Sequence, residues 1–238
     1  MKIIATVPTY NERANIRVLV PKILEIFRKE AIDGGVLIID DDSPDGTGVV
    51  AEAFAKNTKM VFVLRRRYKM GIGSAYKDGF KYALSVGGDG VIELDADLSH
   101  NPSYIPEFVK KLREGYDLVI GSRYIPGGKT PKWPLSRRVI SVVTNRITKI
   151  FLGLSPKDVT SGYRAYSHIV LKNIDFNTVI SDGYAFQVEM ILRCQELGLN
   201  ICEIPIAFVD RKEGESKLSR REMWQYLKSI VRLALARF

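Results

Sequence analysis

Through its first half the chain alternates short apolar runs with amphipathic stretches, and this alternation constrains the fold more than any other feature. Residues 2–7 (KIIATV), 35–40 (GVLIID), 60–65 (MVFVLR), 90–96 (GVIELDA) and 117–122 (DLVIGS) read as strands. Helical periodicity fills 12–29, 47–56 and 74–86 and resumes after Pro102. Strands that are apolar along their whole length are buried on both faces. Strands of that kind alternating with helices predict an α/β fold, a mostly parallel sheet flanked by helices. A chain of 238 residues suits one such domain.

The second half is less regular. Residues 124–138 form a Gly/Pro-rich basic loop, followed by a helix over 138–152 with Ile140, Val143, Ile147, Ile150 and Phe151 on one face. A turn and short strand over 160–167, a helix over 185–197, a strand over 200–209 and a charged loop over 211–219 lead to a basic amphipathic helix at the end. Phe186, Met190 and Ile191 have core spacing; Gln187 and Glu189 could face a ligand.

Ligands of open α/β sheets sit beyond the carboxyl ends of the strands. The polar clusters of this sequence fall there: PTYNE (8–12), DDDSPDGT (40–47), DADLSH (95–100) and GSRY (121–124). In an extended segment residues i and i+2 project to one side, so Asp95 and Asp97 can share a cation. Two carboxylates suit a hard divalent ion, Mg²⁺ or Mn²⁺, whose other ligands are substrate phosphates. The only histidines are His100 and His168, which disfavours zinc. The competing expectation is a solvated turn capping the helix after Pro102. Asp40 can accept hydrogen bonds from a base or ribose, while Asp42, Ser43 and Asp45 can instead cap the following helix. KMGIGSAYKDG (69–79) departs from the dinucleotide pattern and follows the third strand, not the first. It reads as a tight turn into a helix whose N-terminus lies near phosphate, not as a nicotinamide site.

These clusters, with SGYRAY, GYAFQVEM and FVDRKEGESKLS, resemble the dolichyl-phosphate (polyprenyl-phosphate) mannose synthases, inverting glycosyltransferases of the GT-A (Rossmann-like) fold. The resemblance runs from Ile3 to Ser219. It implies a single GT-A catalytic domain over 1–219 and a C-terminal amphipathic helix over 220–238. It implies mannose transfer from GDP-mannose to dolichyl or polyprenyl phosphate. Pro8, Tyr10 and Glu12 would line the guanosine and ribose pocket, with Ile38 and Asp40 across from them. Asp95, Ala96 and Asp97 would meet the diphosphate and the metal. Ser99 stands where some members carry a metal-binding Gln, which makes it a candidate ligand acting through water. Arg123, Arg211 and Lys217 would clamp the donor phosphates. Arg137 and Ser141, four residues apart and so on one helix face, would hold the lipid phosphate with Arg123. The resemblance assigns catalysis to Asp97, Arg123, Arg137 and Ser141. A UDP-glucose-dependent polyprenyl-phosphate glucosyltransferase of the same fold is the alternative.

The net charge of +9 agrees with an anionic partner. Basic residues alternate with acidic ones and no nucleic-acid motif is present, so nucleic acid is not expected to be a partner. Cys194 and Cys202 lie in apolar patterns and read as buried thiols of a reducing cytosol. The N-terminus lacks signal-peptide character, and no segment reaches the roughly 18 apolar residues of a membrane span. The two basic amphipathic helices suit peripheral attachment at the cytoplasmic face, to the membrane surface or to small membrane subunits; the competing expectation is that Trp224, Leu227, Ile230 and Val231 pack on the catalytic domain.

Overall fold

The computed structural model of the chain describes residues 1–209 and 220–235. Its strands are β1 (Ile3–Thr9), β2 (Gly34–Asp40), β3 (Val61–Arg65), β4 (Gly90–Glu93), β5 (Leu118–Ser122), β6 (Arg164–Ser167) and β7 (Ile201–Pro205). Its helices are α1 (Arg13–Lys29), α2 (Thr47–Asn57), α3 (Ile72–Ser85), α4 (Ile105–Arg113), α5 (Leu135–Leu152), α6 (His168–Asn173), α7 (Gly183–Glu196) and α8 (Arg220–Leu235). The sheet order is β3-β2-β1-β4-β6-β5-β7. β6 runs antiparallel to β4 and β5; every other pairing is parallel.

Alternate side chains of each central strand enter different cores. Ile4, Leu37 and Ile39 pack with Tyr76, Phe80 and Phe186 on the α3 and α7 side. Ile3, Ala5, Val36 and Ile38 pack with Ile16, Leu19 and Phe108 on the α1 and α4 side. Both faces of the sheet are therefore covered, as the apolar strands require. Helix α8 joins the first core through Tyr226, Ile230 and Leu233.

Several boundaries differ from the sequence reading. β4 ends at Glu93, and Leu94–Asp97 turns away. The Leu94 N–H still bonds to the Thr6 carbonyl, but the Asp95 N–H is taken by His100 Nδ1 at 3.0 Å. β7 ends at Pro205 instead of residue 209, and α6 is too short to show periodicity. Cys194 is buried, whereas Cys202 is only partly so; both are free thiols.

Candidate active site

The β1–α1 and β2–α2 loops are stitched together at the sheet edge. Backbone N–H groups of Asn11, Glu12 and Arg13 donate to Ser43 Oγ, Thr47 Oγ1 and Asp45 Oδ2 at 3.0, 3.0 and 3.1 Å. The aspartate-rich turn thus supplies the acceptors that the start of α1 needs. Asp45 also accepts from Thr47 N at 2.9 Å, the capping role weighed for it. Hydrogen bonds from Thr47 and Arg13 lower its carboxyl pKa against the opposing effect of burial, the largest single influence. The consecutive aspartates meet arginines from the end of β3. Arg65 Nε lies 3.3 Å from Asp40, and Arg66 Nη1 lies 2.7 Å from Asp41. Like charges crowded in sequence are held by opposite charges crowded on the neighbouring strand.

Asp40 is fully buried and accepts from Thr9 Oγ1 and Ser43 Oγ. Its carboxylate organises the turn. Ile38 is a core residue with no exposed surface. Pro8 and Glu12 are partly buried beside Tyr10, whose ring carries Lys69 Nζ at 4.2 Å.

Backbone strain gathers at the same edge. Asn11, Asp42 and Leu98 have φ of 61°, 55° and 65°, one in each of three polar clusters. Leu98 is the costly case, because a branched side chain crowds the left-handed region. It lies in the turn that carries the two aspartates. Asp97 Oδ1 accepts the Ser99 N–H at 3.0 Å, and Ala96 points into the core. His100 stacks on Tyr163 at 4.9 Å. Burial drops the His100 pKa to about 4, against Asp97, which raises it. Ser99 Oγ is buried and has no hydrogen-bond partner among the described residues. Two carboxylates and an orphaned hydroxyl in one turn fit a hard cation that draws its other ligands from a diphosphate and water. No group of three His, Cys, Asp or Glu side chains among the described residues could hold a metal ion, so those residues offer no closed metal cage.

Arg123 follows β5 and is clasped rather than free. Its Nε and Nη2 donate to the two Asp158 oxygens at 2.7 Å each, and Nη2 also reaches Thr160 Oγ1 at 2.8 Å. Burial works against its charge, but Asp158 outweighs it and holds the guanidinium pKa above its ordinary value. Asn145 on α5 ties this cluster to the helix. Its Nδ2 donates to Thr160 Oγ1 at 2.9 Å, and its Oδ1 accepts from Val159 N at 2.8 Å. Ser141 Oγ accepts from Tyr124 OH at 2.6 Å. Arg137, one turn before Ser141, has its guanidinium carbon 4.2 Å from the Trp133 ring centroid.

The structure therefore gathers Asp95, Asp97 and Ser99 in one turn, and Arg123, Ser141 and Arg137 in an adjoining cluster. Arg211 and Lys217 lie outside the described residues. Sequence reasoning missed Tyr124, Trp133, Asn145, Asp158 and Thr160. Asn145 had a signal, since it continues the four-residue spacing from Arg137 and Ser141. Phe186, Met190 and Ile191 are core, as expected. Glu189 is buried and paired with Arg193 at 2.7 Å. Gln187 is buried, with its Oε1 unpartnered among the described residues. The start of α3 receives a carboxylate instead of a phosphate: Gly73 N donates to Asp182 Oδ1 at 2.6 Å.

An acidic turn and an arginine cluster thus lie together at the carboxyl edge of a mostly parallel sheet. The chain belongs to glycosyl transferase family 2, whose sequence model matches residues 5–175. It is 42% identical over 236 residues to an undecaprenyl-phosphate mannosyltransferase of Micrococcus luteus, covering 99% of this chain and 95% of that one. It is 40% identical over 214 residues to a polyprenol monophosphomannose synthase of Mycolicibacterium smegmatis, covering 90% and 79%. The resemblance read from the motifs thus extends along nearly the whole chain. Among solved structures, glucosyl-3-phosphoglycerate synthase of Mycobacterium tuberculosis in complex with Mn²⁺, UDP and glucosyl-3-phosphoglycerate superposes with a TM-score of 0.70. That match covers 97% of this chain and 79% of the other at 20% identity, a likeness of fold.

Proposed function

We propose that this enzyme transfers mannose from GDP-mannose to a dolichyl or other polyprenyl phosphate, with inversion at the anomeric carbon. The observation that carries this reading is the orientation of α5. Its polar residues Ser141, Asn145 and Thr148 face the protein, while Leu135, Ile147, Ile150 and Phe151 are 75, 59, 76 and 55% exposed. Helices of soluble domains turn their apolar stripe inward. One that turns it outward, with Arg138 and Arg146 also exposed, suits a lipid interface. Helix α8 adds exposed Trp224, Leu227, Val231 and Leu235 beside Lys228 and Arg232. In this reading residues 1–219 carry the chemistry. Helix α5 and the 220–238 segment rest on the cytoplasmic face of the membrane. No helix among the described residues is long and apolar enough to cross it.

The chemistry follows from charge. A phosphomonoester has its second pKa near ~6 and is largely a dianion at neutral pH, so the acceptor needs no general base. The buried acids and bases beside the aspartate turn agree. His100 Nδ1 accepts from Asp95 N, which leaves its proton on the other nitrogen. Burial lifts Glu93 to about 8 against the opposing effect of Arg164, so it keeps its proton. Arg123, Arg137 and Ser141 hold the acceptor phosphate and aim one oxygen at the anomeric carbon. That oxygen forms the new bond as the bond from carbon to the diphosphate oxygen breaks, and the electron pair leaves with GDP. Pro8, Tyr10 and Glu12 line the nucleoside end; Ile38 and Asp40, expected to face it, are fully buried and shape it only by holding the strand and turn, with Arg211 and Lys217 assigned to the donor phosphates. Asp95, Asp97 and Ser99 would hold Mg²⁺ or Mn²⁺ beside the backbone of Ala96; when bound, the cation neutralises the leaving diphosphate.

The test is transfer of labelled mannose from GDP-mannose to a polyprenyl phosphate, with and without EDTA. EDTA-sensitive formation of labelled lipid is expected. Glucose transfer from UDP-glucose in its place would assign the enzyme as a polyprenyl-phosphate glucosyltransferase, and transfer from neither donor would sink the reading.

A further inference from the structure

Tyr124 follows Arg123 just past the end of β5, and its side chain reaches across to α5. Its hydroxyl donates to Ser141 Oγ at 2.6 Å, and its ring centroid lies 5.2 Å from the Arg123 guanidinium carbon. One side chain therefore touches two of the groups assigned to the acceptor. Tyr124 and Ser141 are both partly exposed, so neither is sealed in the core.

Two routes join Arg123 to Ser141. The first runs through Thr160 and Asn145. Arg123 Nη2 and Asn145 Nδ2 both donate to Thr160 Oγ1, at 2.8 and 2.9 Å, and Asn145 Nδ2 also donates to the Ser141 carbonyl at 2.9 Å. That route fixes where Ser141 stands relative to Arg123 but leaves its hydroxyl able to rotate. The second route runs through Tyr124 and acts on the hydroxyl itself. A serine hydroxyl has one proton and two lone pairs. A phenol is a stronger acid than an alcohol and so the better donor, and the Tyr124 proton occupies one Ser141 lone pair. The Ser141 proton is then left for a different acceptor. A phosphate dianion offers only acceptor oxygens, so Ser141 can serve it only as a donor. Donation from Tyr124 also polarises the Ser141 O–H and strengthens the bond it gives.

We propose that Tyr124 is a positioning residue: by donating to Ser141 Oγ it turns the Ser141 proton toward the acceptor phosphate. The proposal rests on the acceptor assignment made above. A bond that merely fastened the loop after β5 to α5 would lower Tm without singling out the acceptor.

The experiment measures kcat/KM for polyprenyl phosphate and affinity for GDP with Mn²⁺ in the full chain and in its Y124F, S141A and Y124F/S141A variants, with Tm showing that each is folded at the assay temperature. Y124F is expected to lower acceptor kcat/KM roughly fivefold, the scale of one neutral hydrogen bond, while GDP–Mn²⁺ affinity matches that of the parent. S141A should lower acceptor kcat/KM at least as far. Adding Y124F to S141A should change it by less than about twofold, because the proton that Tyr124 directs is already gone. An unchanged acceptor kcat/KM in Y124F overturns the proposal. So does a parallel fall in GDP affinity, or a Y124F effect that persists in full when Ser141 is replaced by alanine. S141A separates the two layers of argument. If it leaves acceptor kcat/KM unchanged, the acceptor assignment itself fails. If it lowers kcat/KM while Y124F does not, only the role of Tyr124 fails.

Discussion

Asp158→Asn removes the counter-charge of Arg123 while nearly preserving shape. Asp158 is fully buried and the Arg123 side chain is 8% exposed, so solvent screens the pair little. Asp158 accepts three bonds, from the Arg123 N–H at 2.9 Å and from Nε and Nη2 at 2.7 Å. An asparagine whose oxygen serves the Arg123 N–H and Nε turns its amide NH₂ toward Nη2. One charge-assisted bond is lost, and the guanidinium stays buried without an anion. Breaking such a pair from one side costs about 3–5 kcal/mol. At about 2–4 °C per kcal/mol for a chain of this size, Tm should fall by roughly 10 °C. Thermal unfolding followed by circular dichroism checks this, with an R123L/D158L double variant as comparison. Removing both charges leaves no buried charge unpaired, although the Arg123 N–H loses its acceptor, so the double variant should be more stable than Asp158→Asn alone. A fall below roughly 2 °C for Asp158→Asn, or a double variant losing the sum of both single effects, would refute the dependence of Arg123 on Asp158.

Ser99→Ala should leave Tm unchanged or slightly higher, since it deletes a buried hydroxyl that lacks a partner among the described residues, and should weaken Mn²⁺ affinity measured by calorimetry in the presence of GDP. Glu93→Gln mimics a protonated carboxyl. The raised native pKa of about 8, against an ordinary 4.5, means that the fold keeps a proton the unfolded chain releases, so parental stability falls as pH rises from about 4.5 to about 8. Denaturant titrations of Glu93→Gln across that window should show a flatter profile; an unaltered slope would show that Glu93 is not its source. Ile147→Glu with Ile150→Glu should leave Tm within about 2 °C of the parent, because both side chains are exposed, and should abolish flotation with anionic liposomes.

The sheet and its edge were legible because strand burial on both faces and turn-forming Asp, Gly and Pro are local signals. Even the misplaced end of β4 preserved a true periodicity. Leu94 and Ala96 are buried while Asp95 and Asp97 are not, although the backbone there is a turn and not a strand. The direction of β6 was not legible, since four residues carry no signal for parallel or antiparallel pairing. Asp158 and Thr160 were missed for a different reason. They lie 35 and 37 residues from Arg123, and nothing near them in sequence marks them as partners. The arginine was read as a phosphate clamp, but the fold places its counter-ion and hydrogen-bond acceptor around it first. Helix α5 shows the remaining limit. A stripe of Ile, Val and Phe opposite Arg137, Ser141, Asn145 and Thr148 has the same period whichever face is buried. What decides the orientation is the hydrogen-bonding demand of the polar face. Asn145 bonds Thr160 and Val159, Ser141 bonds Tyr124, and Thr148 bonds Tyr226 at 2.8 Å. Those bonds turn the apolar stripe outward, where an aqueous protein gains nothing from it and a lipid-bound one does.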